Sequence, residues 1–334
     1  MENYSGKKVM TVMLNWDYGI KERGISGEFS WFYKNFEEMD VQVQPFWFDE
    51  YLKDGTHLES DLLKAVENFQ PELIFFVPYT DQFSVEFLKK LKTKCTTAAW
   101  FGDDHWRFDN FSSKYANAYT YCLTTDPWSL HKYKELGAQT ILTEWAAQLG
   151  EPINIDEEIE YKHEISFIGG YNEIRGWYIR ELKKLGIEVE CFGANWPNGR
   201  VTEKQMNDIF RTSKINLNLS NSVNYDIRSI FSSPKSFARW VKSKKRSEQV
   251  KARNFEIPLA GGFQLSQYAL GLERHFVIGS QIAVFTSPEE CAKQIIYYQL
   301  HEQERLNMLR TSYVHVLENH TYRKRLEEIL KVIF

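Results

Sequence analysis

Lys251-Ala252-Arg253-Asn254-Phe255-Glu256 sets two cations and one acid just ahead of Pro258 and the pair Gly261-Gly262. Two cations this close suit a diphosphate. A carboxylate at the start of a helix can accept from two neighbouring hydroxyls, as a ribose presents them. The same residues also read as an Arg253–Glu256 pair that merely caps a short helix. A second group is Phe167-Ile168-Gly169-Gly170-Tyr171-Asn172-Glu173-Ile174-Arg175. Its glycine pair separates a strand from a helix, and the N-terminus of a helix offers N–H groups and partial positive charge to phosphate. Gly lets the backbone approach a ligand closely, and Arg175 could clamp phosphate oxygens with two bonds. This is neither a G-x-G-x-x-G nor a P-loop pattern, and it also reads as a tight turn with a surface arginine.

Gly102-Asp103-Asp104-His105 sets adjacent carboxylates beside a histidine. Such a turn could act as a general base, bind an acceptor, or be purely structural. Its spacing, and the lack of any other His or acid cluster, argue against a metal. A basic run over 238–253 holds Arg239, Lys242, Lys244, Lys245, Arg246, Lys251 and Arg253. It could touch an anionic membrane or an acidic acceptor, or simply be a solvated helix face.

The elements that must carry these groups alternate. Strand candidates at 8–14, 41–48, 73–77, 97–101, 121–124 and 140–143 are interleaved with helix candidates at 29–38, 58–68 and 83–91. That alternation predicts βαβ units and a parallel sheet. Ligands then sit at the carboxyl ends of the strands, where the polar turns 15–19, 79–82 and 102–106 fall. Gly150, Pro152 and the acidic stretch 156–160 mark a boundary between 148 and 162. A second α/β series follows: a strand at 165–168, a helix at 173–185 with Gly186 at its left-handed cap, and alternation through Ile187, Val189 and Cys191. A helix at 205–212 and alternation through Ile215, Leu217 and Leu219 continue it. Tandem α/β domains make a cleft in which two substrates can meet.

A net charge of −4 over 334 residues gives no general attraction for nucleic acid or for an anionic membrane. The four cysteines form no C-x-x-C pair, which fits a reducing compartment. The polar residues 1–8 lack the apolar core of a signal peptide, and no run of about 18 apolar residues exists to span a membrane. The expected location is the cytoplasm.

The C-terminal half resembles the glycosyltransferases grouped with the spore maturation protein CgeB. Blocks 165–175, 189–196 with Phe192-Gly193, 213–219, 251–263, 271–285 and 320–325 carry the resemblance in order and spacing. Over 8–147 it rests on strand order and on blocks 100–104 and 123–137. The resemblance implies an α/β, GT-B architecture: an acceptor-side Rossmann-like domain over 1–150, a nucleotide-sugar domain over 151–318, and a last helix within 319–334 that crosses back. It implies a UDP- or GDP-linked sugar donor, an acceptor of unknown kind in bacterial glycan biosynthesis, and no metal or other cofactor. Gly169, Gly170, Arg175, Phe192, Gly193, Lys251, Arg253, Glu256, Gly261 and Gly262 are the expected donor contacts, with Glu256 on the ribose and Arg253 facing the leaving diphosphate. Asp103, Asp104 or His105 would serve as base if the reaction inverts. In related retaining enzymes a second glutamate precedes the ribose one; counting back seven from Glu256 reaches Gln249, which is not acidic. Two alternatives stay open: an epimerase or hydrolase on the same fold, and a non-catalytic sugar-nucleotide-binding protein.

Overall fold

The computed structural model describes residues 4–223 and 225–334. The chain divides into two compact units, Met1–Gln148 with Tyr322–Phe334, and Leu149–Thr321.

In the first unit β1 (Lys8–Met13), β2 (Gln42–Trp47), β3 (Leu73–Phe76), β4 (Thr96–Phe101), β5 (Tyr121–Thr124) and β6 (Thr140–Leu142) form one sheet in the order β2-β1-β3-β4-β5-β6. Every pairing is parallel, with Val9 opposite Leu73 and Val12 opposite Phe76. All four residues of β3, Leu-Ile-Phe-Phe, are buried, as expected where helices cover both faces of a parallel sheet. The helix expected over 29–38 opens as a π-helix, Phe29–Tyr33, before turning α-helical at Lys34–Glu38. Buried Asn35 donates to the carbonyls of Ser30 (3.2 Å) and Trp31 (2.9 Å), which supports the widened turn. The helix expected from 83 starts at Val85 instead, because Ser84 caps it by accepting from Phe87 N–H.

The last helix, Tyr322–Ile333, belongs to this first unit. Tyr322, Leu326, Ile329 and Leu330 lie on one helical face and join Phe32, Phe36, Phe75 and Trp100 in the core. Tyr322 stacks on Trp31 at 5.3 Å, and its N–H donates to Ala147.

In the second unit β7 (His163–Ile168), β8 (Glu190–Phe192), β9 (Ser213–Asn218), β10 (Gln264–Gln267) and β11 (Ala283–Phe285) run parallel in the order β11-β10-β9-β7-β8. The order reverses between β7 and β9, which creates a crevice at their carboxyl ends. Gly186 takes the left-handed φ of +83°, and Ile187 N–H turns back to Leu182. That cap keeps Ile187 and Val189 out of β8, which is shorter than their alternation suggests. Asn216, on the strand face expected to be polar, is buried instead. Its Nδ2 donates to the carbonyls of Phe210 (2.9 Å) and Phe263 (3.2 Å), and its Oδ1 accepts from Ser166 (3.0 Å). Those bonds satisfy the buried amide.

Candidate donor site

The crevice in the second unit is built from glycine contacts. Gly193 has φ +124°, and a Cβ there would lie 2.5 Å from the Gly169 carbonyl oxygen. The loop after β8 therefore rests directly on the turn after β7. Gly169 N–H donates to Phe192, Tyr171 N–H to Ala194, and Trp196 Nε1 to Gly169 O (2.8 Å). Gly262 has the same use deeper in the unit: a Cβ would come within 2.7 Å of both Phe210 O and Asn216 Nδ2. Gly261 has φ +76°.

Arg175 is half-buried across the switch point. Its Nη1 donates to Gly170 O (2.9 Å), its Nη2 to Leu219 O (2.8 Å), and its Nε to Leu219 O and Ser220 O (3.1 Å each). It straps the β7 turn to the end of β9. Burial, together with nearby Arg253 and Arg239, lowers its pKa to about 10, so it stays charged at neutral pH. The helix Glu173–Lys184 behind the turn is capped by Asn172, whose Oδ1 accepts from the N–H groups of Ile174 and Arg175. Those two donors are thus engaged within the protein, contrary to the expectation of open N–H groups at this helix start.

The segment 251–256 is tied to the sheet by a polar line. Asn218 Nδ2 (3.2 Å) and Asn254 Nδ2 (3.1 Å) both donate to Ser266 Oγ, and Asn254 Oδ1 accepts from Lys251 N–H (3.0 Å). This places Lys251 and Arg253 at the start of the helix Arg253–Leu259. Arg253 and Glu256 form an ion pair of 2.8 Å, both side chains largely buried. The guanidinium lies over the Phe210 ring (5.0 Å) and reaches Met206 Sδ. Burial raises the Glu256 carboxyl above the usual range, Arg253 opposes that, and Glu203 adds to it. Phe192 is half-buried with Ile168, Phe210 and Ile257.

One residue of this cluster is absent from the sequence expectation. The acid ahead of Glu256 is Glu248, the neighbour of Gln249. It accepts from Ser222 Oγ and from Gln267 Nε2 (3.1 Å). Burial raises its pKa, while Ser220, Ser222 and Arg175 favour its charged form. The switch point thus holds Arg175, Arg253 and Glu248 together, with Glu256 paired to Arg253.

The turn 102–105 of the first unit divides its residues. Asp103 and His105 are half-buried, but Asp104 is 2% exposed. Tyr133 donates to it at 2.9 Å, and burial pushes its carboxyl up to about 6 against the hydroxyls of Ser112, Thr124 and Tyr133. A carboxyl enclosed in this way does not meet an acceptor, so the expectation of Asp104 as a candidate base gives way to a structural role. Its raised folded-state pKa contributes stability that is full below about pH 4 and lost as pH rises through about 6. Asp104→Asn should therefore gain on the parent protein by about 2–3 kcal/mol between pH 4 and pH 8. Urea unfolding at both pH values checks this; parallel pH profiles would refute it. Among the described residues no three His, Cys, Asp or Glu side chains gather as a metal-binding set, and no helix is long and apolar enough to cross a membrane.

Residues 175–331 match the family described as glycosyl transferase-like. No curated protein matches the chain. Among solved structures, sucrose-phosphate synthase from Thermosynechococcus elongatus is similar with a TM-score of 0.66 at 8% identity, over 98% of this chain and 99% of that one. A glycosyltransferase from Rickettsia africae ESF-5 gives 0.60 at 10% identity, over 99% and 98%. Anabaena HepE, solved with UDP and glucose, gives 0.57 at 10% identity, over 98% and 99%. At these identities the likeness is one of fold. Residues 175–331 are thus glycosyl transferase-like in sequence, and the fold is of the GT-B kind, with two α/β units.

Proposed function

We propose that the second unit binds a nucleoside diphosphate sugar at the carboxyl ends of β7–β10 and that the enzyme transfers the sugar without a metal. The observation that carries this reading is the gathering of Arg175, Arg253 and Glu248 at the strand-order reversal of a Rossmann-like sheet. The HepE complex with UDP and glucose supports a UDP-linked donor. Without a metal, fixed cations must stabilise the charge that develops on the leaving diphosphate. Arg253 and Lys251 supply it in this reading, and Arg175 is a positioning residue that fixes the Gly169–Gly170 turn. Glu256 accepts from the ribose hydroxyls, and Glu248 is the carboxylate available to the sugar. Asp103 and His105 handle the acceptor in the first unit. We place the protein near the CgeB-related enzymes of bacterial glycan assembly, in a reducing cytoplasm that suits its four free cysteines.

The test is release of nucleoside diphosphate from UDP-, GDP- and dTDP-sugars, with and without candidate acceptors. Acceptor-dependent release supports transfer, acceptor-independent release indicates a hydrolase, and binding without any turnover would sink the enzymatic reading. In calorimetry, Glu256→Ala should weaken donor binding by about 1–3 kcal/mol, the cost of losing a charged hydrogen bond. An unchanged affinity would remove Glu256 from the ribose.

A further inference from the structure

The segment between β9 and the helix Arg253–Leu259 turns its apolar residues outward. Tyr225, Ile227 and Phe231 are 66%, 68% and 67% exposed, and Phe237 and Val241 are exposed on the helix Pro234–Lys242. The inward side of that helix is polar: Ser236 is buried among Ser232 and Ser233, and Arg239 donates to Asn221 O. A solvated helix of a globular protein has the opposite arrangement. The outward rings are ordered, Phe231 on Phe237 at 5.7 Å and Phe237 on the half-buried Trp240 at 6.5 Å.

Charge surrounds these rings. Residues 231–247 contain six cations, Lys235, Arg239, Lys242, Lys244, Lys245 and Arg246, and no acid, in a chain whose net charge is −4. On the helix, Lys235 and Lys242 lie one above the other at i and i+7, on the flank of the exposed side opposite the one that carries Phe237 and Val241. A second copy that met this face with its own would set these cations against cations. A soluble acidic partner would pair with the cations and leave the exposed rings and aliphatic side chains in water. An anionic bilayer matches both features: its headgroups take the lysines and its acyl boundary takes the apolar side chains.

We propose that residues 225–246 form a membrane-docking face that seats the enzyme on anionic lipid. Each cation near such a surface strengthens binding roughly fivefold. The full chain is sedimented with vesicles of phosphatidylcholine alone and of phosphatidylcholine mixed with phosphatidylglycerol. Partitioning is expected only with the mixed vesicles, and it should weaken as salt rises. Phe231→Ser with Phe237→Ser, and separately Lys235→Glu with Lys242→Glu, should each reduce partitioning about tenfold or more. All four side chains are exposed, so the unfolding midpoint should stay unchanged and report a folded protein. Absence of partitioning by the parent protein, or equal partitioning by parent and variants, overturns the proposal. Binding to inorganic polyphosphate without binding to vesicles also overturns it, in favour of an acidic soluble partner.

Discussion

Gly193→Ala should cost the second unit about 2–4 kcal/mol and with it most donor binding. Two effects add. Gly193 has φ +124°, a region that L side chains rarely adopt, and the new methyl would sit 2.5 Å from Gly169 O and 2.7 Å from Gly169 C. Those are backbone atoms, so relief requires the loop after β8 or the turn after β7 to move. Either movement breaks Gly169 N–H to Phe192 O or Tyr171 N–H to Ala194 O. For a unit of this size each kcal/mol lowers the unfolding midpoint by roughly 2–4 °C, so differential scanning calorimetry reads the effect directly. Gly170→Ala is the control. A Cβ on Gly170 meets nothing within 4 Å, so its stability should change by less than about 1 kcal/mol. If the donor phosphate lies against the Gly170 backbone, affinity falls in this variant while stability does not. Equal midpoints for Gly193→Ala and the parent protein would remove the close contact from the account of the site.

Legibility in the sequence followed the range of the interactions. The strands were visible because burial on both faces demands a continuous apolar run, as in Leu73–Phe76, whose residues are all buried. The last helix is expected only from the family resemblance, although Tyr322, Leu326, Ile329 and Leu330 do mark one face of it at helical spacing. Arg175 reads in the sequence as a phosphate ligand, yet most of its bonding goes to Leu219 and Ser220, 44 and 45 positions away. No local pattern carries such a partner. Asp103 and Asp104 look alike as neighbours, yet the start of a short helix turns Asp104 inward to Tyr133 and leaves Asp103 half-buried. Glu248 is the neighbour of Gln249, the position seven before Glu256. Its identity as a site residue depends on Ser222 and Gln267, which the sheet brings from the ends of β9 and β10. An acid eight positions ahead of Glu256 was the available signal.

The largest kinetic effect is expected at Arg253. Arg253→Met keeps most of the side-chain volume over Phe210 and removes the charge, and it should lower kcat/KM by about 10²–10³-fold. If the guanidinium acts on charge that develops only as the diphosphate leaves, the loss falls on kcat; if it grips the bound donor equally, the loss falls on KM. Stability also changes. Glu256 is raised by burial and lowered only by Arg253, so the single variant leaves a carboxyl that ionises at still higher pH. A folded-state pKa above the unfolded value means stability lost as pH rises, so Arg253→Met should be most destabilised above neutrality and recover toward pH 5. The double variant Arg253→Met with Glu256→Gln separates the two readings of this segment. As a helix cap, the pair matters only for folding, and removing both charges restores stability and rate together. As a ligand clamp, removing both restores stability while turnover stays down, because the charge facing the diphosphate is still missing. Unfolding curves and single-turnover donor cleavage on the parent protein, the two single variants Arg253→Met and Glu256→Gln, and the double variant decide between them.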